Sequence, residues 1–150
     1  MGLFSWLFGN DERSSTTTMQ VADITNGPGT YNVDVVGESH YQEALESICG
    51  GRTENSQRLV VEAFLVPEDD NPHDSKAVCI FIQEQTVGYL DRETARSFRK
   101  QIAEIGMTGV AAKCSAIIVG GWDRGGGDRG HFGVKLDLPT TRLRTSAMEI

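Results

Sequence analysis

Residues 58–90 read RLVVEAFLVPEDDNPHDSKAVCIFIQEQTVGYL and contain three short apolar runs separated by turn signals. The first run is rich in β-branched and aromatic residues and stops at Pro67, as a strand does. AVCIFIQ and TVGYL have the same character, and a tight turn near Glu84 and Gln85 is expected to join them. The stretch therefore predicts three consecutive strands.

The residues before this stretch predict one more strand and a short helix. Tyr31, Val33 and Val35 alternate with polar residues, which is the period of a half-buried strand. QEALESIC, starting at Gln42, places its apolar residues on one helical face, and GGRTENSQ then indicates a loop.

The residues after the stretch predict the main helix and a long hairpin. Asp91 is a typical N-cap and Gly106 a typical helix end. The apolar residues at helical spacing between them are Ala95, Phe98, Ile102 and Ile105. GVAAKCSAIIV and HFGVKLDL then flank the Gly-rich GGWDRGGGDRG, a pattern that predicts two strands joined by a flexible tip.

These elements predict a mainly β fold with minor α content. There are too few crossover helices for a parallel sheet, so a small barrel of about six strands, closed by one main helix, is expected. We predict an apolar N-terminal peptide and flexible linker over residues 1–30, one domain over 31–139, and a flexible tail over 140–150.

Composition excludes several classes of protein. The chain has 150 residues with 39% hydrophobic and 23% charged side chains, which suits a single globular domain. No run reaches the ~18 apolar residues of a transmembrane helix. The N-terminal peptide lacks the basic residues of membrane-surface helices, so stable membrane association is not expected. Three widely spaced cysteines favour reduced thiols in the cytoplasm.

Charge is unevenly distributed along the chain. Residues 1–75 carry three basic and thirteen acidic side chains, whereas residues 76–150 carry eleven basic and eight acidic ones. A net charge of −7 is unfavourable for nucleic-acid binding as a whole. A local basic face in the second half remains compatible with it, as does ordinary solvated surface.

The segment DDNPHD, residues 69–74, admits three interpretations. A metal site is disfavoured, because a lone histidine lacks a second strong ligand and Pro72 interrupts a calcium-loop pattern. A rigid turn is well supported, since Pro72 fixes the backbone and Asp74 can accept hydrogen bonds from amides two residues on. The third interpretation is a pocket that holds a ligand.

An ordered run of motifs favours the pocket. VVGESHY, then LVVEAFLVPEDDNPHDSKAVCIFI, then QTVGYLDRETA, together with the closing hairpin, resemble the HIRAN domain family over about residues 31–139. The resemblance implies an OB-like β-barrel that binds single-stranded DNA at a free 3′ end, in DNA repair or processing. Because the sequence contains no nucleotide-binding loop of a motor, a helicase, nuclease or other DNA-processing partner is expected.

The resemblance also implies a set of DNA-binding residues. Asp74 would contact the terminal hydroxyl, Asn71 would hold the end nucleotide, Gly37 would lie beneath the base, and Arg92 would meet phosphate. The positions implied in full are Gly37, Ser39, His40, Tyr41, Asn71, His73, Asp74, Tyr89, Arg92 and Phe132, with the Tyr41 and Phe132 rings matching aromatic positions. No catalytic residue, metal or cofactor is implied.

Four of these positions depart from the family pattern. Ser39 and His40 replace an Arg–Tyr pair, His73 replaces a tyrosine, and Tyr89 replaces a histidine. Loss of the arginine removes a strong phosphate contact, so either affinity is weaker or the ligand differs. An ordinary surface role for His40 and His73 stays open.

Two other functions were considered. Ser39 and His40 near several acids have no nucleophile elbow or third member around them, so no hydrolase site is predicted. The principal alternative to DNA binding is a protein-interaction module of the same fold that no longer binds DNA.

Overall fold

The computed structural model describes residues 21–139, which form one curled sheet and two α-helices. The strands are β1 (Val21–Asp23), β2 (Val33–Asp34), β3 (Gln57–Glu68), β4 (Ala77–Ile82), β5 (Gln85–Tyr89), β6 (Ala111–Gly120) and β7 (Phe132–Asp137). The helices are α1 (Gln42–Cys49) and α2 (Arg92–Glu104), and a 3-10 turn spans Glu38–His40. The predicted mainly β, OB-like class is confirmed, with seven strands in the described residues where about six were expected.

Strand β3 is the backbone of the sheet. The strand order is β2-β7-β6-β3-β4-β5, and β1 pairs in parallel with β6. Because β3 is twelve residues long, it pairs with β6 over Gln57–Leu65 and with β4 over Phe64–Glu68. The predicted strands around the NPHD turn are therefore confirmed as the antiparallel pair β3 and β4.

The sheet buries apolar side chains on both faces. The larger core lies inside the curl and includes buried residues of both helices. A smaller cluster of Val66, Cys79, Phe81 and Ala111 lies on the other face, because these residues alternate with core residues along their strands.

The segment after β2 joins the two ends of the sheet. Val35 N donates to Val134 O of β7 at 3.0 Å, whereas Val36 exchanges two hydrogen bonds with Tyr89 of β5, at 2.8 and 2.9 Å. A Cβ at Gly88 would lie 2.7 Å from Val36 O, so the glycine permits this close approach. The sheet thus curls into a half-barrel whose edges meet at residues 36 and 89.

The predicted helices are confirmed. In α1, Leu45 and Ile48 are buried. In α2, Asp91 is the N-cap, and its Oδ1 accepts a hydrogen bond from Thr94 N at 2.8 Å. The side chains of Ala95, Phe98 and Ile102 are buried, Ile105 packs partly buried against the core, and Gly106 follows the helix with a φ of 81°.

The β4–β5 turn lies one residue earlier than predicted. Ile82 pairs with Gln85, so the two turn residues are Gln83 and Glu84, with φ values of 51° and 66°. A two-residue hairpin turn of this kind requires a left-handed backbone conformation at both positions. The twist of such a turn matches the right-handed twist of the flanking strands. The sequence gives no glycine or asparagine to mark them.

Strand β1 was not predicted, since residues 9–29 have the composition of a linker. Ala22 and Ile24 are fully buried, and Ile24 N donates to Lys113 O. The following residues are also held, because the buried Asp137 carboxylate accepts hydrogen bonds from the Gly29 and Tyr31 amides. Residues 21–30 are therefore part of the folded domain rather than of a flexible linker. The predicted apolar peptide and the rest of the linker before residue 21, and the predicted tail over 140–150, lie outside the described residues.

The β6–β7 hairpin is confirmed, and its Gly-rich tip is internally bonded. Asp123 pairs with Arg129, and Asp128 accepts a hydrogen bond from Trp122 Nε1 at 3.0 Å. Arg124 lies over the Trp122 ring and pairs with Asp128. These contacts agree with the predicted hairpin, and they fix its tip by side-chain bonds. Neither helix within residues 21–139 has the length and apolar character needed to cross a membrane.

Candidate nucleic-acid interface

The NPHD turn is built by side-chain hydrogen bonds to its own backbone. Asn71 Oδ1 accepts from His73 N at 2.8 Å and from Asp74 N at 3.1 Å. Asp74 Oδ1 accepts from Lys76 N at 3.0 Å, which is the predicted Asx turn. The rigid-turn interpretation is therefore confirmed, and it leaves the His73 side chain exposed at the apex.

Asp74 also gathers arginines from helix α2. Arg96 makes a bidentate contact, with Nη2 3.1 Å from Oδ1 and Nη1 3.2 Å from Oδ2. Arg92 Nε lies 3.7 Å from Oδ2, and its Nη2 donates to the His73 carbonyl at 3.3 Å. The Lys76 amide hydrogen bond and the Arg96 contact hold the pKa of the Asp74 carboxyl below its usual range. The turn and the helix are thus one rigid unit.

The second part of the site is the 3-10 turn. Gly37 precedes it with a φ of 82°, and Gly37 O accepts from His40 N. Glu38 Oε2 accepts from Val134 N at 3.0 Å, which fixes the turn to β7. This leaves Ser39 and His40 exposed, with the His40 ring edge-on to Tyr41 at 6.5 Å.

Glu68 connects the two parts. Its Oε1 accepts hydrogen bonds from the Tyr89 hydroxyl and from Asn71 Nδ2, each at 3.0 Å. The backbone of Tyr89 in turn exchanges two hydrogen bonds with that of Val36, which directly precedes Gly37 and the 3-10 turn. Burial raises the pKa of both Tyr41 and Tyr89 above the ordinary value, and the neighbouring Cys79 and Glu68 add to the effect. The tyrosines are therefore neutral hydrogen-bonding groups at physiological pH.

Two grooves adjoin the residues of the candidate site. A groove of about 650 Å³ runs beside the 3-10 turn, with Ser39, His40, Tyr41 and Glu43 among its lining residues. A second groove, of about 440 Å³, runs along α2, and Arg96, which binds Asp74, lines it. The surface therefore offers one groove beside the 3-10 turn and a basic groove along α2.

Comparison with known protein families identifies the fold. A family model described as the HIRAN domain matches residues 28–117, which is more than half of the chain. The chain belongs to the HIRAN domain family. Searches of curated proteins and of solved structures gave no match. HIRAN domains are nucleic-acid-binding modules, so the family supports nucleic acid as the ligand class and a binding role for the domain.

In this HIRAN domain, most of the predicted positions lie on one connected surface. Tyr89 and Asn71 are linked through Glu68, and Arg92 contacts the His73 carbonyl and Asp74. Tyr89 also pairs with Val36, next to Gly37. Gly37, Ser39 and His40 adjoin Tyr41 along the chain. Tyr89, where the family pattern has histidine, contributes its hydroxyl to the network.

Phe132 does not belong to this surface. It is 2% exposed and lies in the main core. Its backbone N donates to Gln42 Oε1, and its backbone O accepts from Gln42 Nε2. The Arg52 guanidinium covers the ring at 4.9 Å, and Gly121 leaves room for it. A buried ring cannot stack on a nucleobase, so the expected stacking role of Phe132 does not fit this structure. The alternation of β7 turns residue 132 inward.

Sequence reasoning missed Glu68 and Arg96. In the sequence, Glu68 is the first of three consecutive acidic residues, and nothing distinguishes it from the other two. Arg96 has the position of an ordinary exposed charge on a helix. Their roles depend on contacts to residues 21 and 22 positions away, so no local pattern signals them. The helical spacing of Arg92 and Arg96, four residues apart on one face, was the only available hint.

No metal site accompanies these residues. Within residues 21–139, no group of three or more His, Cys, Asp and Glu side chains is placed to hold an ion. The three cysteines are free thiols, and burial raises the pKa of Cys79 to about 12, which keeps it protonated.

Proposed function

We propose that this chain recognises single-stranded DNA at its 3′ end and serves DNA repair or processing together with a helicase, nuclease or similar partner. The observation that supports this is that Glu68 joins Tyr89 to Asn71 of the NPHD turn and that Arg92 contacts the same turn. Tyr89 also pairs with Val36, which precedes the 3-10 turn that ends at Tyr41. Such a surface suits a nucleotide, because aromatic side chains can stack on the base while amides and cations bind the sugar–phosphate backbone.

The Asp74 carboxylate would receive the terminal hydroxyl. Its Oδ1 is occupied by the Lys76 amide and Arg96. Its Oδ2 accepts one hydrogen bond from Arg96, and Arg92 stands further off at 3.7 Å. Oδ2 therefore keeps acceptor capacity for one hydroxyl, while Arg92 can turn to the adjacent phosphate.

Aromatic side chains beside the turn would hold the terminal base. His40 is exposed next to Tyr41, and His73 is exposed at the apex of the turn. Histidine rings can stack on bases with less area than the tyrosines of the family pattern, so weaker affinity is expected.

The test compares oligonucleotides that end in a 3′ hydroxyl or a 3′ phosphate, measured by fluorescence anisotropy. The unsubstituted protein should prefer the hydroxyl end by about ten- to a hundredfold, because a carboxylate accepts one and repels the other. Asp74→Asn keeps an acceptor for the Lys76 amide and removes the charge, so it should lose most of the preference. Asp70→Asn, an exposed neighbour, serves as the matched control and should behave like the parent.

Equal binding of both ends by the parent would contradict end recognition while leaving single-strand binding intact. Absence of binding to any single-stranded DNA would favour the alternative of a protein-interaction module. That alternative draws support from Ser39 in place of an arginine and from the net charge of −7.

Three further expectations belong to this proposal. The chain acts without catalytic activity of its own, because HIRAN is a binding domain. It needs no cofactor. We also expect a reducing, cytoplasmic compartment, where the free thiols of Cys49, Cys79 and Cys114 would persist.

A further inference from the structure

The groove along α2 is strongly basic. Four cationic side chains line it: Lys76, Arg96, Arg99 and Lys100. None of the eleven described lining residues is acidic, although the chain as a whole carries a net charge of −7. Apolar side chains, including Phe98, Ile102 and Val110, form its floor. Because Phe98 and Ile102 are only 5% and 2% exposed, the groove offers its cations rather than a stacking surface, which suits a phosphate backbone.

The cations of the groove differ in whether a nearby carboxylate already neutralises them. Arg96 is paired with Asp74, and Arg99 with Asp69 at 2.8 Å. Arg99 is further fixed by hydrogen bonds to the Lys76 and Ala77 carbonyls. These contacts hold the two arginines in place and partly neutralise them.

Lys76 and Lys100 are in a different state. Both are exposed, and within residues 21–139 neither ammonium group makes a hydrogen bond or ion pair. Exposed lysines are common on any surface, but these two face one groove together with two fixed arginines. The net positive charge of the groove therefore resides mainly on these lysines.

The groove is continuous with the candidate DNA-end site. Arg96 both binds the Asp74 carboxylate and lines the groove, and Lys76 is the residue whose amide that carboxylate caps. The groove beside the 3-10 turn contains Glu43 and no lysine or arginine among its lining residues. A polyanion leaving the NPHD turn would therefore run along α2.

We propose that this groove binds the sugar–phosphate backbone of the nucleotides on the 5′ side of the terminal one, with Lys76 and Lys100 as the principal phosphate contacts. The inference rests on the proposed function and adds a second subsite to it. Affinity should then increase with oligonucleotide length, because longer oligonucleotides reach the groove. The preference for a 3′ hydroxyl over a 3′ phosphate should depend on Asp74 instead.

The experiment measures two probes, a 3′-hydroxyl dithymidylate by competition and a 3′-hydroxyl oligothymidylate of about ten residues by anisotropy. Lys76→Glu and Lys100→Glu should each weaken the long probe by about five- to tenfold and change the short probe by less than about twofold. Arg58→Glu is the matched control. It makes the same change in charge at an exposed position of β3 outside the groove, and should leave the ratio of the two affinities unchanged.

The outcomes separate the two proposals. Binding of both probes by the parent, with the long probe unaffected by either lysine substitution, would overturn the groove and leave end recognition standing. Equal weakening by Arg58→Glu would also overturn it, since only general charge would matter. Binding of neither probe by the parent would overturn both. A groove used instead for an acidic peptide would show as lysine-dependent binding of polyglutamate with DNA affinity unchanged.

Discussion

At the scale of single residues, Asp74 performs two structural tasks with one carboxylate. Oδ1 caps the backbone of its own turn, and both oxygens hold Arg96 of α2. An asparagine could perform the first task, because its side-chain oxygen is also an acceptor. Only a negative charge performs the second.

This division predicts a dependence of stability on pH. The folded pKa of Asp74 lies below its unfolded value of about 3.9, so its charge stabilises the fold above that value and ceases to do so as pH falls through the folded pKa. Asp74→Asn should therefore be less stable than the parent, by a constant difference from pH 8 to 5 that shrinks below about pH 4.

Urea unfolding at pH 7, 5 and 3 would measure that difference. Asp70→Asn should show no such pattern, because the turn and the arginines do not use that side chain. If the difference in free energy of unfolding between the parent and Asp74→Asn were as large at pH 3 as at pH 7, the charge of Asp74 would not be the cause of the stabilisation.

Residue roles were predictable from sequence where the contacts are local. The Asx turn at Asp74 and the N-cap at Asp91 involve amides two and three residues away, which sequence patterns capture. Glu68 and the buried Phe132 depend on residues far along the chain. Their environment is set by strand register, which a single sequence does not specify.

At the scale of elements, helix α2 supplies both core and surface. Phe98 is 5% exposed in the main core, while Arg96 and Lys100 on neighbouring faces line the basic groove. Phe98→Ala should destabilise the protein by ~3–5 kcal/mol, because it removes a buried ring and leaves a cavity.

Chemical denaturation measures this loss, with Glu93→Ala on the exposed side of the same helix as the control. The control should cost less than about 0.5 kcal/mol. A loss below ~1 kcal/mol for Phe98→Ala would show that the helix does not close the core in the way described.

Element prediction succeeded where composition or period marked the element and failed where neither did. β3 and β4 are rich in β-branched and aromatic residues, α2 has helical spacing of apolar residues, and all three were predicted. β1 has three residues inside a polar segment, and it forms because Ala22 and Ile24 reach the core beside β6. Tertiary packing, not local pattern, makes it a strand.

At the scale of the whole molecule, a protein with a net charge of −7 carries a basic groove along α2. Its DNA affinity should depend on salt only through the few cations that reach phosphate. With three to five such contacts, the slope of log K against log salt should lie between about −2 and −3.5 for a single strand.

Titrations at several salt concentrations give that slope, and Lys100→Glu should reduce its magnitude by about 0.7, the share of one phosphate contact. A slope steeper than about −4 would require more phosphate contacts than the groove and Arg92 provide. A slope near zero would mean that phosphates are not bound at all.

The meeting point of Val36 and Tyr89 has a consequence for folding equilibria. One side of the candidate site, Gly37–Tyr41, follows directly from Val36, and the other side includes Tyr89 itself. Partial unfolding that parted these two residues would therefore take the site apart. A ligand spanning both sides binds only the joined form and shifts the equilibrium toward it. A DNA end bound across both sides would therefore hold Val36 and Tyr89 together, where two hydrogen bonds join the edges of the half-barrel.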